Sequence, residues 1–321
     1  MNHAVLLLGS AVGVSSSFFD EQEPSYIRLH QNGILSKRVE QLYAIYENCH
    51  LCPRDCRVDR TKGQTGKCQA TATVKVSSAA PHFGEESPLV GKGGSGTIFF
   101  SNCNLRCVYC QNYTISIEGE GIEIPNRRLA ETMIKLQELG CVNINLVTPT
   151  HYLPNIVKAL QLAIPMGLRI PLVYNTSGYE KLDILQLLDG IIDIYLPDCK
   201  YMDPSHAAQY SDGAYNYPHY AKIALKEMYR QVGDLLIQRG IAVRGLIVRH
   251  LVLPNGVSGT EQFLRFVAEN LSKTTYINIM RQYRPEYKAL EYPDIARRIT
   301  RKEYADALNW AKQYGLHRLD K

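Results

Sequence analysis

The chain has 321 residues, of which 45% are apolar and 21% are charged. This balance is typical of a globular protein with one large domain or two ordinary ones. The 36 basic and 31 acidic side chains leave a formal net charge of +5, which is spread along the chain rather than concentrated in one block. So mild a basic excess permits an anionic ligand, but it does not indicate a nucleic-acid-binding protein.

An apolar run near the N-terminus, AVLLLGSAVGV at residues 4–14, resembles the hydrophobic region of a secretory signal peptide. The three residues before it contain no Lys or Arg, which such peptides normally carry. The run is also too short to span a bilayer, and no other stretch approaches that length. We therefore expect a terminal extension or a buried segment here, and no membrane association.

A segment of closely spaced cysteines follows, with the pattern C-x2-C-x3-C-x11-C. Its members are Cys49, Cys52, Cys56 and Cys68, and His50 offers a further candidate ligand. Four thiolates this close can form a tetrahedral zinc site or hold a [4Fe–4S] cluster, and the spacing leaves both open. Because a segment this short and polar needs a metal to be well ordered, we predict a small metal-binding lobe within an N-terminal extension, residues 1–92.

Apolar, β-branched runs alternate with helical patterns between residues 93 and 285. Strands are predicted at 96–101, 142–148, 170–175, 191–196, 242–253 and 275–280. Helices are predicted at 127–140, 155–164, 180–188, within 217–239 and at 260–271, with another at 301–315 in a C-terminal extension, 286–321. This alternation implies a parallel sheet covered on both faces, either an open doubly wound sheet or an incomplete barrel. In both architectures, ligands bind at the carboxyl ends of the strands.

Three further cysteines, Cys103, Cys107 and Cys110, directly follow the first predicted strand and so belong to that rim. A [4Fe–4S] cube held by three cysteines has one iron without a protein ligand, which can bind a substrate or cofactor. Zinc with an open position is the alternative, but such sites usually include histidine, and none lies between residues 83 and 150.

Cysteine usage also bears on the compartment. Seven of the nine cysteines fall in these two clusters, and the total is odd. Short fixed spacings in a chain this long favour metal ligation over a disulfide framework, so we expect a reducing, cytoplasmic location. The two remaining cysteines, Cys141 and Cys199, are expected to be buried thiols.

The stretch CNLRCVYC, residues 103–110, resembles the C-x3-C-x-aromatic-C signature of radical S-adenosylmethionine (SAM) enzymes. The resemblance covers about residues 93–285 and implies an incomplete (β/α)6 barrel. It is closest to the branch related to pyruvate formate-lyase activating enzyme, and within it to a poorly characterised group. It implies a [4Fe–4S] cluster that, with one electron, cleaves SAM to a 5′-deoxyadenosyl radical for hydrogen abstraction. It also implies a low-potential electron donor such as flavodoxin or ferredoxin.

Several positions match segments that hold SAM in relatives. Tyr109 occupies the aromatic place that packs against adenine. The end of the third strand, with Asn175 and Ser177, resembles the Asp-Thr-Asn-Gly stretch of activating enzymes. The end of the fourth, with Asp198 and Lys200, resembles their Asp-x-Lys, and both segments would bind the methionine end of SAM. Asn175 in place of Asp leaves a bound monovalent cation in doubt.

Other positions match less closely. Many relatives carry Gly-Gly-Glu after the second strand, whereas this chain has Thr148-Pro149-Thr150-His151; Thr148 is the candidate SAM contact, and His151 is either a substrate contact or a structural residue. Arg249 in the fifth strand is expected near SAM in preference to Arg244, because it lies nearer the carboxyl end. Gln282 and Tyr283 are expected to close the adenosine pocket.

Three functions are compatible with these patterns. The first is an activase-like radical SAM enzyme that abstracts hydrogen from a glycine of a partner protein, a glycyl-radical enzyme. The second is a radical SAM enzyme that modifies a small molecule, a peptide or RNA. The third is a zinc-dependent binding module with two structural cysteine clusters, against which the open three-cysteine loop at the sheet rim argues.

Overall fold

The structure, a computed structural model, describes residues 23–320, so the apolar run at 4–14 lies outside the described residues. Its strands are β1 (Lys75–His82), β2 (Ser95–Phe100), β3 (Ile122–Glu123), β4 (Ile144–Val147), β5 (Leu172–Thr176), β6 (Ile194–Pro197), β7 (Leu236–Gln238), β8 (Ile241–Leu251) and β9 (Tyr276–Met280). Its α-helices are α1 (Ser25–Gln31), α2 (Ile34–Ala44), α3 (Ser87–Val90), α4 (Tyr113–Ser116), α5 (Asn126–Glu138), α6 (Leu153–Ala163), α7 (Leu182–Gln186), α8 (Pro204–Tyr210), α9 (Tyr217–Val232), α10 (Thr260–Asn270) and α11 (Arg301–Gln313).

The centre of the fold is a parallel sheet. Strands β2, β4, β5, β6, β8 and β9 pair in that order, each parallel to the next, and helices lie between successive strands. The mostly parallel α/β sheet predicted from the sequence is thus confirmed. Its order follows the chain without the reversal of a doubly wound sheet, which is consistent with a partial barrel of the TIM type.

The strand β1 was not predicted, because its sequence KVSSAAPH lacks an alternating apolar pattern and contains a proline. Only Val76 of this strand is buried. The strand pairs antiparallel with β2, from Val76 opposite Phe100 to His82 opposite Ser95. The chain before residue 93 therefore contributes a strand to the central sheet.

Burial explains why the central strands form. Every residue of β5 and of β6 is buried, as expected for parallel strands covered by helices on both faces. Within residues 23–320, no helix is long and apolar enough to cross a membrane. All nine cysteines lie in this range and none forms a disulfide, and Cys141 and Cys199 are buried as expected.

The loops after β5 and β6 approach each other closely at the carboxyl edge of the sheet. Gly178 has a φ of +76°, and a Cβ atom there would lie 2.4 Å from the carbonyl oxygen of Asp198. A side chain at this position therefore meets two penalties, a left-handed backbone and a clash with the next loop.

We predict that Gly178→Ala separates these two loops and lowers the free energy of unfolding. The matched control is Gly213→Ala, because Gly213 has a similar φ of +72° with nothing within 4 Å of its ideal Cβ. The control should lose about 1–2 kcal/mol from backbone strain alone, and Gly178→Ala should lose about 1–3 kcal/mol more. Urea unfolding measures both, and equal losses would contradict the close approach.

Candidate active site

A cavity of about 250 Å³ lies at the carboxyl ends of the parallel strands. It is lined by all three thiols of the loop after β2 and by seven side chains predicted to contact SAM, which together are Cys103, Cys107, Cys110, Tyr109, Thr148, Asn175, Ser177, Asp198, Lys200 and Arg249. Residues that are far apart in the sequence thus share one site, because each directly follows, or ends, a neighbouring strand.

The three cysteine sulfurs each have a hydrogen-bond partner. The backbone amide of Leu105 donates to Sγ of Cys103 at 3.3 Å, and the Ser211 hydroxyl donates to Sγ of Cys107 at 3.1 Å. The hydroxyl of Ser116 lies 3.1 Å from Sγ of Cys110. Such partners stabilise thiolates and tune a metal centre bound by them.

The side chains that line the cavity are those that an iron–sulfur cluster needs. Burial raises the pKa of the Cys107 thiol to about 12 even with the Lys200 ammonium nearby, and a bound metal centre is the kind of additional positive charge that would favour its thiolate. The described residues that line the cavity include three cysteines and no histidine, and the Ser177 hydroxyl is buried there without a partner. Three soft ligands with open polar groups nearby fit a [4Fe–4S] cluster with one iron free for another molecule.

Asp198 lies between two cations at the end of β6. Its carboxylate accepts from Nζ of Lys200 at 2.6 Å and from Nε of Arg249 at 2.7 Å, and Arg249 also donates to Oδ1 of Asn175 at 2.5 Å. The three charged side chains retain only 14–17% of their exposure. Burial opposes ionisation, but the two cations hold the pKa of Asp198 below its usual value, so it remains a carboxylate.

A family model describing the radical SAM superfamily matches residues 97–224. An uncharacterized protein of Methanocaldococcus jannaschii, MJ0674, is 34% identical over 310 residues, which cover 93% of this chain and 83% of the relative. The chain belongs to the radical SAM superfamily. A second uncharacterized protein of that organism, MJ0808, is 26% identical over 274 residues, 76% of this chain and 73% of the relative. Membership implies a radical enzyme that binds a [4Fe–4S] cluster and cleaves SAM.

Other candidates take different positions around the cavity of about 250 Å³, which is called the radical SAM cavity from here on. Gln282 lines it, whereas Tyr283 packs edge-on against Tyr109 at 5.7 Å and donates its hydroxyl to the carbonyl of Ile295. Tyr283 therefore contacts Tyr109 and does not itself line the cavity, contrary to the prediction that it closes the adenosine pocket. Arg244 lies elsewhere, where it donates to the Ser25 hydroxyl at 2.9 Å.

Thr148 has a strained backbone. Its φ of +58° is unusual for a β-branched residue, and its amide donates to the carbonyl of Asn175 at 2.9 Å. Thr148 lies where the loops after β4 and β5 meet in the radical SAM cavity. Strained backbone conformations of this kind are concentrated at ligand-binding and active sites.

His151 does not line the radical SAM cavity. It is buried, its Nε2 lies 2.8 Å from the carbonyl oxygen of Ser101, and burial lowers its pKa to about 3, so the ring is neutral. The ring lines a second, smaller cavity, whose other walls include the four cysteines of residues 49–68. The structural role is therefore the one that its contacts support.

Glu180 is a supporting residue that the sequence analysis missed. Its Oε1 accepts from the Thr150 hydroxyl at 2.6 Å and from the Thr176 hydroxyl, which ties the loops after β4 and β5 together behind the cavity. The signal was present, because Glu180 ends the quoted stretch YNTSGYE. No cation of residues 23–320 forms an ion pair with it, and burial raises its pKa to about 7.

We predict that Glu180→Gln stabilises the protein in a pH-dependent way. The carboxyl ionises near 4.5 when unfolded and near 7 when folded, so only the unfolded chain releases the proton between these values. Stability of the unmodified protein should therefore fall as pH rises from about 4.5 to 7, and Glu180→Gln should avoid a loss on the order of 3 kcal/mol.

Anaerobic urea unfolding between pH 4 and 8 measures this difference. Glu131→Gln, on the exposed face of α5, is the control and should change the free energy of unfolding by less than about 1 kcal/mol throughout. A Glu180→Gln variant that is less stable than the parent above pH 7 would show that the folded site favours the carboxylate.

Proposed function

We propose that this protein is an activase-like radical SAM enzyme that abstracts hydrogen from a glycine of a partner protein. The observation that carries the proposal is that residues of the two segments resembling activating enzymes, Asn175 to Ser177 of one and Asp198 and Lys200 of the other, line one cavity with the three-cysteine loop. A low-potential donor such as flavodoxin or ferredoxin would supply the electron, and the cytoplasm is the expected compartment.

The residues that would hold the cofactors follow from their chemistry. Cys103, Cys107 and Cys110 would ligate the cluster as thiolates. When bound, the cluster and SAM together supply a 5′-deoxyadenosyl radical after one-electron reduction. The ammonium of Lys200 suits the SAM carboxylate, and the Ser177 hydroxyl and the Asp198 carboxylate suit its amino group.

The remaining residues of the site would orient the adenosine and exclude water. Tyr109 is buried and packed edge-on between Tyr201 and Tyr283, so its ring orientation is fixed before a ligand binds. Arg249 is committed to Asp198 and Asn175, so its role is to hold those two side chains in place rather than to move during the reaction. A rigid wall of this kind would help to exclude water from a reactive radical.

We predict that cluster binding and SAM binding separate by mutation. Cys107→Ala should lose the iron at this loop, whereas Lys200→Met should keep it and weaken SAM binding at least about tenfold, because a partly buried charge partner is removed. Lys302→Met, with a side chain that is 83% exposed, is the control and should change neither property. Iron analysis and equilibrium SAM binding measure the outcome, and tight SAM binding by Lys200→Met would exclude this placement of the methionine end.

Isotope transfer tests whether the hydrogen is abstracted from a glycine of a partner protein. The source cells are grown on α-deuterated glycine, and their extract is separated into a protein fraction and a small-molecule fraction. Each fraction is then incubated with the reduced enzyme and SAM. We expect deuterium in 5′-deoxyadenosine and a glycine-centred radical signal with the protein fraction. Turnover stimulated only by the small-molecule fraction would overturn the activase proposal and favour a small-molecule substrate.

A further inference from the structure

The four cysteines of residues 49–68 enclose a site that the radical SAM domain does not explain. Their side chains line one small cavity together with Arg60 and His151. A turn brings the thiols together, since the amide of Cys49 bonds the carbonyl of Val58 and the amide of Arg57 bonds the carbonyl of Cys49. The backbone of Gly66 passes so near that a Cβ there would lie 2.6 Å from Sγ of Cys56.

Arg60 is a buried cation without an acidic partner. Its side chain is 1% exposed, it donates to the carbonyl oxygens of His151 and Thr71, and it lies 4.1 Å from the ring centre of Tyr46. No carboxylate of residues 23–320 forms an ion pair with it. Burying a guanidinium in this way is costly unless negative charge lies nearby.

Two polar atoms at this cavity also lack partners. Within the described chain, Nε of Arg60 and Nδ1 of His151 are buried and form no hydrogen bond, and both residues line the four-cysteine cavity. Four thiolates around a zinc dication, or around a [4Fe–4S] core, carry a formal charge of about −2. Such a centre would supply the counter-charge that Arg60 lacks.

Arg54 connects this site to the three-cysteine loop of residues 103–110, which is called the radical-cluster loop from here on. Its guanidinium donates to the carbonyl oxygens of Asn104 at 2.9 Å and Leu105 at 3.1 Å, two residues between Cys103 and Cys107. It also donates to the carbonyl of Ser211 at 3.0 Å, and the hydroxyl of Ser211 contacts Sγ of Cys107. One side chain thus holds both the loop and a residue that touches a cluster thiol.

We propose that Cys49, Cys52, Cys56 and Cys68 bind a thiolate metal centre, with Arg60 as its counter-ion, and that this centre fixes Arg54 against the radical-cluster loop. Arg54 is a positioning residue, two positions from both Cys52 and Cys56. Its role rests on the proposed cluster at Cys103, Cys107 and Cys110, whereas the metal centre itself does not.

The metal is either zinc or a [4Fe–4S] cluster. Within residues 23–320, no three Cys, His, Asp or Glu side chains already converge as ligands of a single ion. A zinc ion, with sulfur ligands at about 2.3 Å, would therefore require the thiols to rotate inward. Both centres have the same ligands and charge, so metal analysis must distinguish them.

The first experiment isolates the new centre. A triple variant, Cys103→Ala, Cys107→Ala and Cys110→Ala, is purified without oxygen after exposure to zinc alone or to iron and sulfide. We expect one zinc, or about four irons with a brown charge-transfer band. A folded triple variant, verified by circular dichroism, that retains neither metal would overturn the metal centre.

The second experiment tests the connection in the full-length holoenzyme. Arg54→Gln should keep the metal at the four cysteines but shift the midpoint potential and the electron paramagnetic resonance spectrum of the radical cluster, and weaken SAM binding about tenfold. Arg57→Gln is the control, because Arg57 is exposed, belongs to the same turn and pairs only with Asp55 among the described residues.

Each outcome has a separate meaning. If Arg54→Gln leaves potential, spectrum and SAM affinity unchanged, the connection is wrong. If Arg54→Gln does not fold, Arg54→Lys takes its place, since it keeps the charge but cannot reach four carbonyls at once. If the unmodified protein carries metal at the four cysteines but no cluster at the three-cysteine loop, the proposed function fails while the metal centre stands.

Discussion

Parallel pairing in chain order is the constraint on which the site depends. Because each central strand runs in the same direction as its neighbour, the residues that follow β2, β4, β5 and β6 emerge at one edge of the sheet. Each strand end contributes only a few side chains, and the crossover helices return the chain to the opposite edge. A complete site therefore requires every strand to be in register. Since the residues of β5 and β6 are all buried, the geometry of the site depends on the packing of these two strands between the covering helices.

Three buried ionisable groups at or near the two cavities are stabilised in different ways. Asp198 has Arg249 and Lys200 beside it, so it stays ionised. Glu180 has only hydroxyl donors, and it can avoid the cost of burial by keeping its proton near neutral pH. Arg60 has no such alternative, because a guanidinium does not lose its proton in proteins. Of the three, only Arg60 lacks both a charged partner and a neutral form, which is why it is informative about what the cysteines bind.

Sequence reasoning was most successful where one strong pattern fixed the structure. Apolar runs separated by helical periods predicted the six parallel strands. The positions of the strand ends then predicted that the site residues, of which Cys103 is the first and Arg249 the last in the chain, lie at one rim. It missed β1, because a half-exposed strand with Pro81 has no alternating pattern. It also left His151 undecided, because the strand end shows that a residue is near the rim but not which side of the loop its ring faces. Arg54 could not be found at all, since its partners are backbone carbonyls, which leave no signature in side-chain identity.

The hydrogen bonds of Arg54 join the four-cysteine segment, residues 49–68, to the radical-cluster loop. A segment packed beside a barrel through apolar side chains alone can shift without altering a distant loop. Here a planar guanidinium donates four hydrogen bonds to carbonyl oxygens at fixed positions, two of them in the cluster loop and two at Ser211 and Asp212. Arg54 lies between Cys52 and Cys56. The short backbone that positions those two thiols therefore also positions the guanidinium that binds the carbonyls of the radical-cluster loop. Any displacement of the four-cysteine segment must therefore break these hydrogen bonds or carry the radical-cluster loop with it.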